Sequence, residues 1–332
     1  MSERAPGLRI GILGAANIAP QALIDPARDN ADVVVAAIAA RDVSRAEAFA
    51  AKHGVARVHR SYEALIADPD IDAVYNPLPN GLHGRWTRHA IAAGKHVLCE
   101  KPFAANADEA REVAELAARS GLVVMEAFHH RYHPLMLRAE EIVASGELGT
   151  LRRVDAAFCF PLPKFSDIRY DFALAGGATM DAGCYAIHML RTLGGSTPKV
   201  VAAQAKLRAA EVDRAMTATV HFADGHTGSM SCSMWSASLL RVSATVAGDR
   251  GQLRVINPVL PHLFHRLTVR SGEGVRTERF PRRTSYAYQL DAFVAAVLHG
   301  EPVKTTPQDA IENMAVIDDI YRVAGLSPRR PT

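Results

Sequence analysis

The chain has 332 residues, enough for about two domains of ordinary size, each able to bury a core without disulfides or metals. Hydrophobic residues make up 48% and charged residues 22%, which excludes a disordered or collagen-like chain. Lys plus Arg number 38 against 35 Asp plus Glu, a net charge of +3, so no bulk field draws the surface to nucleic acid or anionic lipid.

From Leu8 to about Glu126, short β-branched runs alternate with stretches of helical period, the pattern of βαβ units and a parallel sheet. The expected strands are Leu8 to Leu13, Val33 to Ala39, Asp72 to Asn76, His96 to Glu100 and Leu122 to Glu126. Asn106 with Glu109 three residues on reads as a capping box whose helix ends at Gly121, and Gly94 closes a helix begun near Leu82. Residues 1–125 therefore read as a doubly wound Rossmann domain of α/β class. Residues 126–332 read as an α+β substrate-binding and oligomerisation domain with an open, mainly antiparallel sheet. Its alternating runs begin at Val154, Thr217, Gly228, Arg241 and Gly251, and the turns at Asp224-Gly225 and Gly248 to Gly251 are short. Helices are expected over Gly183 to Thr192, Tyr286 to His299 and Asp309 to Ala324. The longest apolar run, Val33 to Ala40, is far short of the ~20 residues that cross a bilayer, and no signal segment precedes Leu8. Both point to a cytoplasmic protein with no membrane partner. Cys99, Cys159, Cys184 and Cys232 form no CxxC pair, which argues for buried reduced thiols.

GILGAANIA, Gly11 to Ala19, sits where the first strand turns into the first helix, and unpaired N–H groups there suit a pyrophosphate. Of the G-x-G-x-x-G fingerprint only Gly14 is kept, with Ala16 and Ala19 in place of the other glycines. Gly14, Ala15, Ala16, Asn17 and Ile18 are the candidate pyrophosphate residues. The second strand ends in Ala40-Arg41-Asp42. Arg41, with Arg45 one turn later, would pair with a 2′-phosphate and favour NADP(H), NAD(H) remaining possible. The alternative is that Asp42 binds the ribose and both arginines are solvated.

CEKPF, Cys99 to Phe103, ends a strand at the carboxyl edge of the sheet, which directs Lys101 toward the crevice; a proline at 102 makes a cis peptide accessible. In GGATMDAGCYAIHMLR, Gly176 to Arg191, paired glycines precede a helix, and Asp181, Tyr185, His188 and Thr192 follow at intervals of four, three and four on one face. A buried tyrosine with a satisfied hydroxyl is the plainer reading of Tyr185. His129, His130 and His133 cluster at the domain crossover. Pro134 and the missing third ligand speak against zinc there, so no metal is expected, and His129 is the one to line the cleft. Arg169 is a further candidate for substrate hydroxyls.

Together with NPLPNGLH (Asn76 to His83), AARDVSRAEAFA (Ala39 to Ala50) and MEAFHHRYHP (Met125 to Pro134), these motifs run in one order over nearly the whole chain. The chain resembles the glucose-fructose oxidoreductase/inositol dehydrogenase (Gfo/Idh/MocA) family, in the branch of dimeric dihydrodiol dehydrogenase and NADP-dependent sugar ketoreductases. The resemblance implies that Lys101 sits by the nicotinamide ribose and the reacting oxygen and that Tyr185 is the general acid/base. It also implies that Leu78, Pro79, Asn80 and His83 form the adenine and pyrophosphate loop and Glu100 a ribose contact. Inositol dehydrogenase-like members carry histidine where Tyr185 stands, so their histidine relay on cyclitols is not expected. A phenol of ordinary pKa near 10 is a weak acid, and Lys101 as an ammonium is expected to lower it and to stabilise the oxyanion.

The expected activity is hydride transfer to or from a ketone or secondary alcohol of a sugar-like or small cyclic substrate, with Asp181, His188, Arg169 and His129 binding that substrate. Two rivals on this fold are NAD-dependent redox-assisted glycoside hydrolysis and non-catalytic dinucleotide sensing. Met230, Cys232 and Met234 give the second sheet an apolar face, and the resemblance implies that its open face joins subunits in a homo-oligomer.

Overall fold

The computed structural model describes residues 7–332. Its first layer begins with β1 (Leu8–Leu13), a π-helical turn Pro20–Ile24 continuing into α1 (Asp25–Arg28), β2 (Val33–Ala39), α2 (Val43–His53), β3 (Arg57–His59) and α3 (Tyr62–Ile66). It continues with β4 (Ala73–Asn76), α4 (His83–Ala92), β5 (His96–Cys99), α5 (Ala107–Ser120) and β6 (Val124–Glu126). These six strands are all parallel in the order β3-β2-β1-β4-β5-β6, so the chain reverses direction across the sheet between β1 and β4. Ligands of such sheets lie outside the carboxyl ends of the strands at this switch point.

After the crossover come α6 (Pro134–Ala144), β7 (Leu151–Cys159), a π-helical turn Thr179–Gly183 running into α7 (Cys184–Gly194), β8 (Lys199–Ala209) and β9 (Val212–His221). Then follow β10 (Thr227–Ser233), β11 (Arg241–Gly248), β12 (Gly251–Ile256), β13 (Arg266–Ser271), β14 (Gly274–Glu278), α8 (Ser285–His299) and α9 (Pro307–Val323). The second sheet has the order β14-β13-β12-β11-β7-β10-β9-β8, antiparallel throughout except where β10 meets β7. The architecture is thus the α/β plus α+β pair expected.

The cap at Asn106 forms, its side chain accepting from Glu109 N, but the Glu109 carboxylate returns to Ala105 N rather than to the cap itself. Thr284 and Thr306 cap α8 and α9, which starts those helices one and two residues before the pattern suggests. β3, β8, β13 and β14 were not expected. β14 is an edge strand exposed along nearly its whole length, and β8, the opposite edge, has scarcely a buried residue, so neither carries a period-two signal.

The apolar face of β10 is not open. A Cβ placed on Gly183 would stand 3.1 Å from Cys232 Sγ and 3.2 Å from Met230 Cε, so the start of α7 covers that face. Ser229 and Ser231 point to the other side, and the uncovered face is rich in hydroxyl groups there. All four cysteines are free and buried. No helix among the described residues is long and apolar enough to cross a membrane.

The C-terminal segment and α9 help to hold the halves in register. Asp318 on α9 accepts from Ala107 N at the start of α5, and Thr332 N donates to Gly81 O while its hydroxyl donates to Ala173 O. Arg329, fully buried, pairs with Asp213 at 3.1 Å and donates to Gly176 O.

Candidate active site

A cavity of about 880 Å³ opens at the switch point and runs between the two sheets. Its nucleotide end is set by backbone. Gly14 has φ +90° and its N–H donates to Ala39 O, and a Cβ there would lie 3.0 Å from Leu78 Cδ2, so only glycine keeps this cradle open. That fits a dinucleotide phosphate approaching the turn closely. Opposite, the His83 ring nitrogens lie 2.6 Å from Leu78 O and 2.7 Å from Pro102 O, between the loop and the segment after β5; burial lowers its pKa to about 4, so the neutral ring donates to one of the two carbonyls. At the adenosine end Arg41 and Arg45 are exposed on the cavity wall. Asp42 caps α2, one carboxylate oxygen accepting from Ser44 N, Ser44 Oγ and Arg45 N.

The reacting end joins segments far apart in sequence. Lys101 follows β5, and the Lys101–Pro102 peptide is cis. Its Nζ donates to Asp181 O at 3.1 Å and to Asp181 Oδ1 at 3.2 Å, and lies 5.1 Å from the centroid of the Tyr185 ring. Asp181 is held from its other side by Arg169 at 3.0 Å, and Arg169 also pairs with Asp167 at 3.1 Å. Burial is the largest single influence on Lys101 and lowers its pKa, but Asp181, Cys184 and Glu100 together outweigh it and the net shift is upward; the carboxylate, despite burial, is held below its usual range by the two cations. The lysine is therefore an ammonium at neutral pH.

The paired glycines explain the placement of Asp181. A Cβ on Gly176 would sit 2.7 Å from the carbonyl oxygens of Arg169 and Asp171, and Gly177 has φ +139°. This close approach presses the Arg169 loop against the π-helical turn that carries Asp181. Asp213 anchors the same turn, accepting from Thr179 N and Oγ1 at 2.7 Å each.

Tyr185 is 5% exposed, its ring met edge-on by Phe128 and Phe158. Its hydroxyl lies 3.0 Å from Nε2 of His129, whose Nδ1 is 2.8 Å from Ser285 Oγ. The expectation that Lys101 lowers the phenol's pKa is corrected here. Burial pushes Tyr185 well above 10, and the ammonium faces the ring with its charge shared by Asp181. Burial, then Lys101, push His129 well below 6.5. Phenol and imidazole are both neutral at rest.

The family models for the oxidoreductase family with NAD-binding Rossmann fold and for the GFO/IDH/MocA C-terminal domain match residues 8–128 and 136–254. A D-xylose 1-dehydrogenase (NADP(+)) of Haloferax volcanii is 39% identical over 96% of this chain and 97% of its own. A dTDP-3,4-didehydro-2,6-dideoxy-alpha-D-glucose 3-reductase of Streptomyces antibioticus is 33% identical over 96% and 98%. The chain belongs to the GFO/IDH/MocA oxidoreductase family. Among solved structures, the 3-ketoreductase KijD10 of Actinomadura kijaniata, in complex with NADP and TDP-benzene, superposes with a TM-score of 0.87 at 28% identity, covering 95% of this chain and 97% of its own.

Within this GFO/IDH/MocA enzyme every residue expected at the site lines the cavity except His188. Three positions past Tyr185 on α7, its side chain turns about 60° away from the cleft. It stacks on Phe128 at 4.2 Å and meets Asp309 Oδ2 at 3.1 Å, behind the cavity wall. Thr192 lies further still, beside a small pit with Arg191 and Glu312. His133 is the cap of α6, its Nδ1 accepting from Leu135 N. Sequence reading missed Tyr62, Phe158, Phe160, Leu260 and Tyr286, which also line the cavity. Phe158 and Phe160, two residues apart at the end of β7, lie on one side with their ring centroids 5.3 Å apart, but they sit in an ordinary apolar run and no local signal marks them as cleft residues.

Proposed function

We propose that the chain is an NADP(H)-preferring dehydrogenase or ketoreductase acting on the ketone or secondary alcohol of a sugar-like substrate. The observation that carries this reading is the meeting of Lys101, Asp181 and Tyr185 at the reacting end of a cavity whose other end is the Gly14 cradle. A bound nicotinamide supplies or takes up the hydride. The chain's own residues do the rest. Lys101 holds positive charge where a carbonyl oxygen becomes an alkoxide, and Tyr185, held protonated by burial, is the proton donor to that oxygen. Asp181 and Arg169 fix the ammonium and offer polar contacts to substrate hydroxyls. Arg41 and Arg45 bind the 2′-phosphate. The relatives named for NADP(+), for xylose and for keto-sugars support the same assignment.

The protein is taken to work in the cytoplasm as a homo-oligomer, with domains divided near residue 125. A monomer in sedimentation at micromolar concentration contradicts the oligomer. The decisive assay is a panel of D-xylose, keto-sugars, trans-dihydrodiols and α-dicarbonyls with NADP(H) and NAD(H). Stoichiometric nucleotide consumption, greater with the phosphorylated form, is expected. Sugar release without net nucleotide turnover supports hydrolysis instead, and tight NADP(H) binding with no turnover supports a sensor.

A further inference from the structure

The Tyr185 hydroxyl offers the proton at the substrate oxygen a path onward, through its hydrogen bond to His129. Burial already holds the phenol protonated, and a phenolate between the edges of Phe128 and Phe158 would stand without solvation. Among the described residues the Tyr185 hydroxyl has one hydrogen-bond partner, Nε2 of His129. The same imidazole is fixed from behind by Ser285 at 2.8 Å and covered by the Tyr286 ring at 4.0 Å. Two segments distant from His129, α7 through Tyr185 and the start of α8 through Ser285 and Tyr286, thus converge on one imidazole and engage both of its nitrogens, more than a ring that merely fills space requires.

We infer that His129 is the terminus of the proton path and Tyr185 the relay, an inference that rests on the oxidoreductase reading above. In alcohol oxidation the carbinol carbon gives its hydride to the nucleotide and the substrate O–H proton goes to Tyr185 Oη. The phenol's own proton passes to Nε2 of His129, leaving a carbonyl, a neutral phenol and an imidazolium. Reduction runs backward from the imidazolium: Nε2 returns its proton to Tyr185 while the phenol protonates the nascent alkoxide, and the ring ends neutral. Nδ1–H donates to Ser285 throughout, so Nε2 is the atom that titrates. After product leaves, water in the cleft exchanges the proton, because His129 itself lines the cavity.

The groups facing His129 set its titration. Lys101 after β5, His262 from the loop after β12 and His133 from the crossover all disfavour its charge, after burial itself. His130 from the crossover, Tyr185 from α7 and Tyr286 from α8 meet its ring as neutral neighbours. The resting ring is neutral, so oxidation is favoured as pH rises through the His129 titration and reduction as it falls.

Two measurements test this. Histidine ¹⁵N spectra of the protein saturated with NADP⁺, assigned with His129→Gln, should show His129 neutral with its proton on Nδ1; a neutral ring protonated on Nε2 overturns the inference, whether or not a substrate is known. With NADP⁺ and D-xylose as probes, His129→Gln, which keeps hydrogen-bonding reach but cannot titrate, should lose about 100-fold in kcat and flatten the pH limb at unchanged NADPH affinity. His129→Ala should recover at least about tenfold with added imidazole, as proton transfer requires and packing does not. Wild-type kcat and pH profile in His129→Gln would overturn the inference alone. Full turnover in Tyr185→Phe would instead remove the reading on which it rests.

Discussion

The nucleotide wall of the cleft is drawn from a few consecutive residues at strand ends, whereas the reacting wall is gathered from segments as distant as Lys101, His129, Tyr185 and Tyr286. In the first, backbone conformation decides: Gly14 at φ +90° opens the cradle, and Arg41 and Arg45 sit one helical turn apart. In the second, side chains decide. Asp181 lies between two cations, and Tyr185 hangs on an imidazole from another segment. On the proposed reading, binding at the first wall depends on local geometry and single charges, while chemistry at the second depends on a network whose members act together.

The sharpest break falls on the network. Under the proposed mechanism, Lys101→Ala removes the charge that would face the developing alkoxide and leaves Asp181 with Arg169 alone, and kcat should fall about 100- to 1,000-fold with little change in nucleotide affinity. Steady-state kinetics beside fluorescence binding separates the two quantities; equal losses in both would merge the two walls into one. A smaller effect is expected at the nucleotide wall. Arg41→Ala should weaken NADPH about tenfold, ~1.4 kcal/mol, and leave NADH nearly unchanged, because an exposed guanidinium contributes modestly and only to the phosphate. Equal weakening of both nucleotides would show that Arg41 does not read the 2′-phosphate.

The smallest effect concerns the seam between domains, where burial raises the Asp318 carboxyl from 3.8 to about 6. A raised folded pKa means that the folded chain holds this proton more tightly than the unfolded one. Its contribution is therefore full below 3.8 and is lost as pH rises to about 6. At pH 7.5 the buried charge is a cost, and Asp318→Asn should stabilise the protein by about 1 kcal/mol, a gain that vanishes near pH 4. Thermal melts at the two pH values check the sign.

How much of this was legible in the sequence follows the same division. The doubly wound half and its phosphate turn could be read because strand period, Gly14 and the residues at strand ends are local signals. A strand-end lysine before proline and a tyrosine after paired glycines drew notice to Lys101 and Tyr185, but the plainer reading of Tyr185 was a buried ring, and the catalytic roles came from the family resemblance. The partnership was not legible. Spacing put Asp181, Tyr185 and His188 on one face; the first two do meet at the cavity, but the 3.6-residue period turns His188 away to face Asp309. His129 was expected to touch substrate; its bond to the Tyr185 hydroxyl links residues 56 apart in sequence, and no periodicity reports such a contact. The lowered phenol pKa was wrong because sequence shows a nearby charge but not the burial that outweighs it. Edge strands β8 and β14 escaped because neither face of them is buried along its length.

The central claim is that Tyr185 moves the proton at the substrate oxygen while the nucleotide wall works independently. Tyr185→Phe, which keeps the ring and removes only the hydroxyl, should lose at least about 100-fold in turnover while binding NADPH with wild-type affinity. Wild-type turnover in that variant would contradict the account.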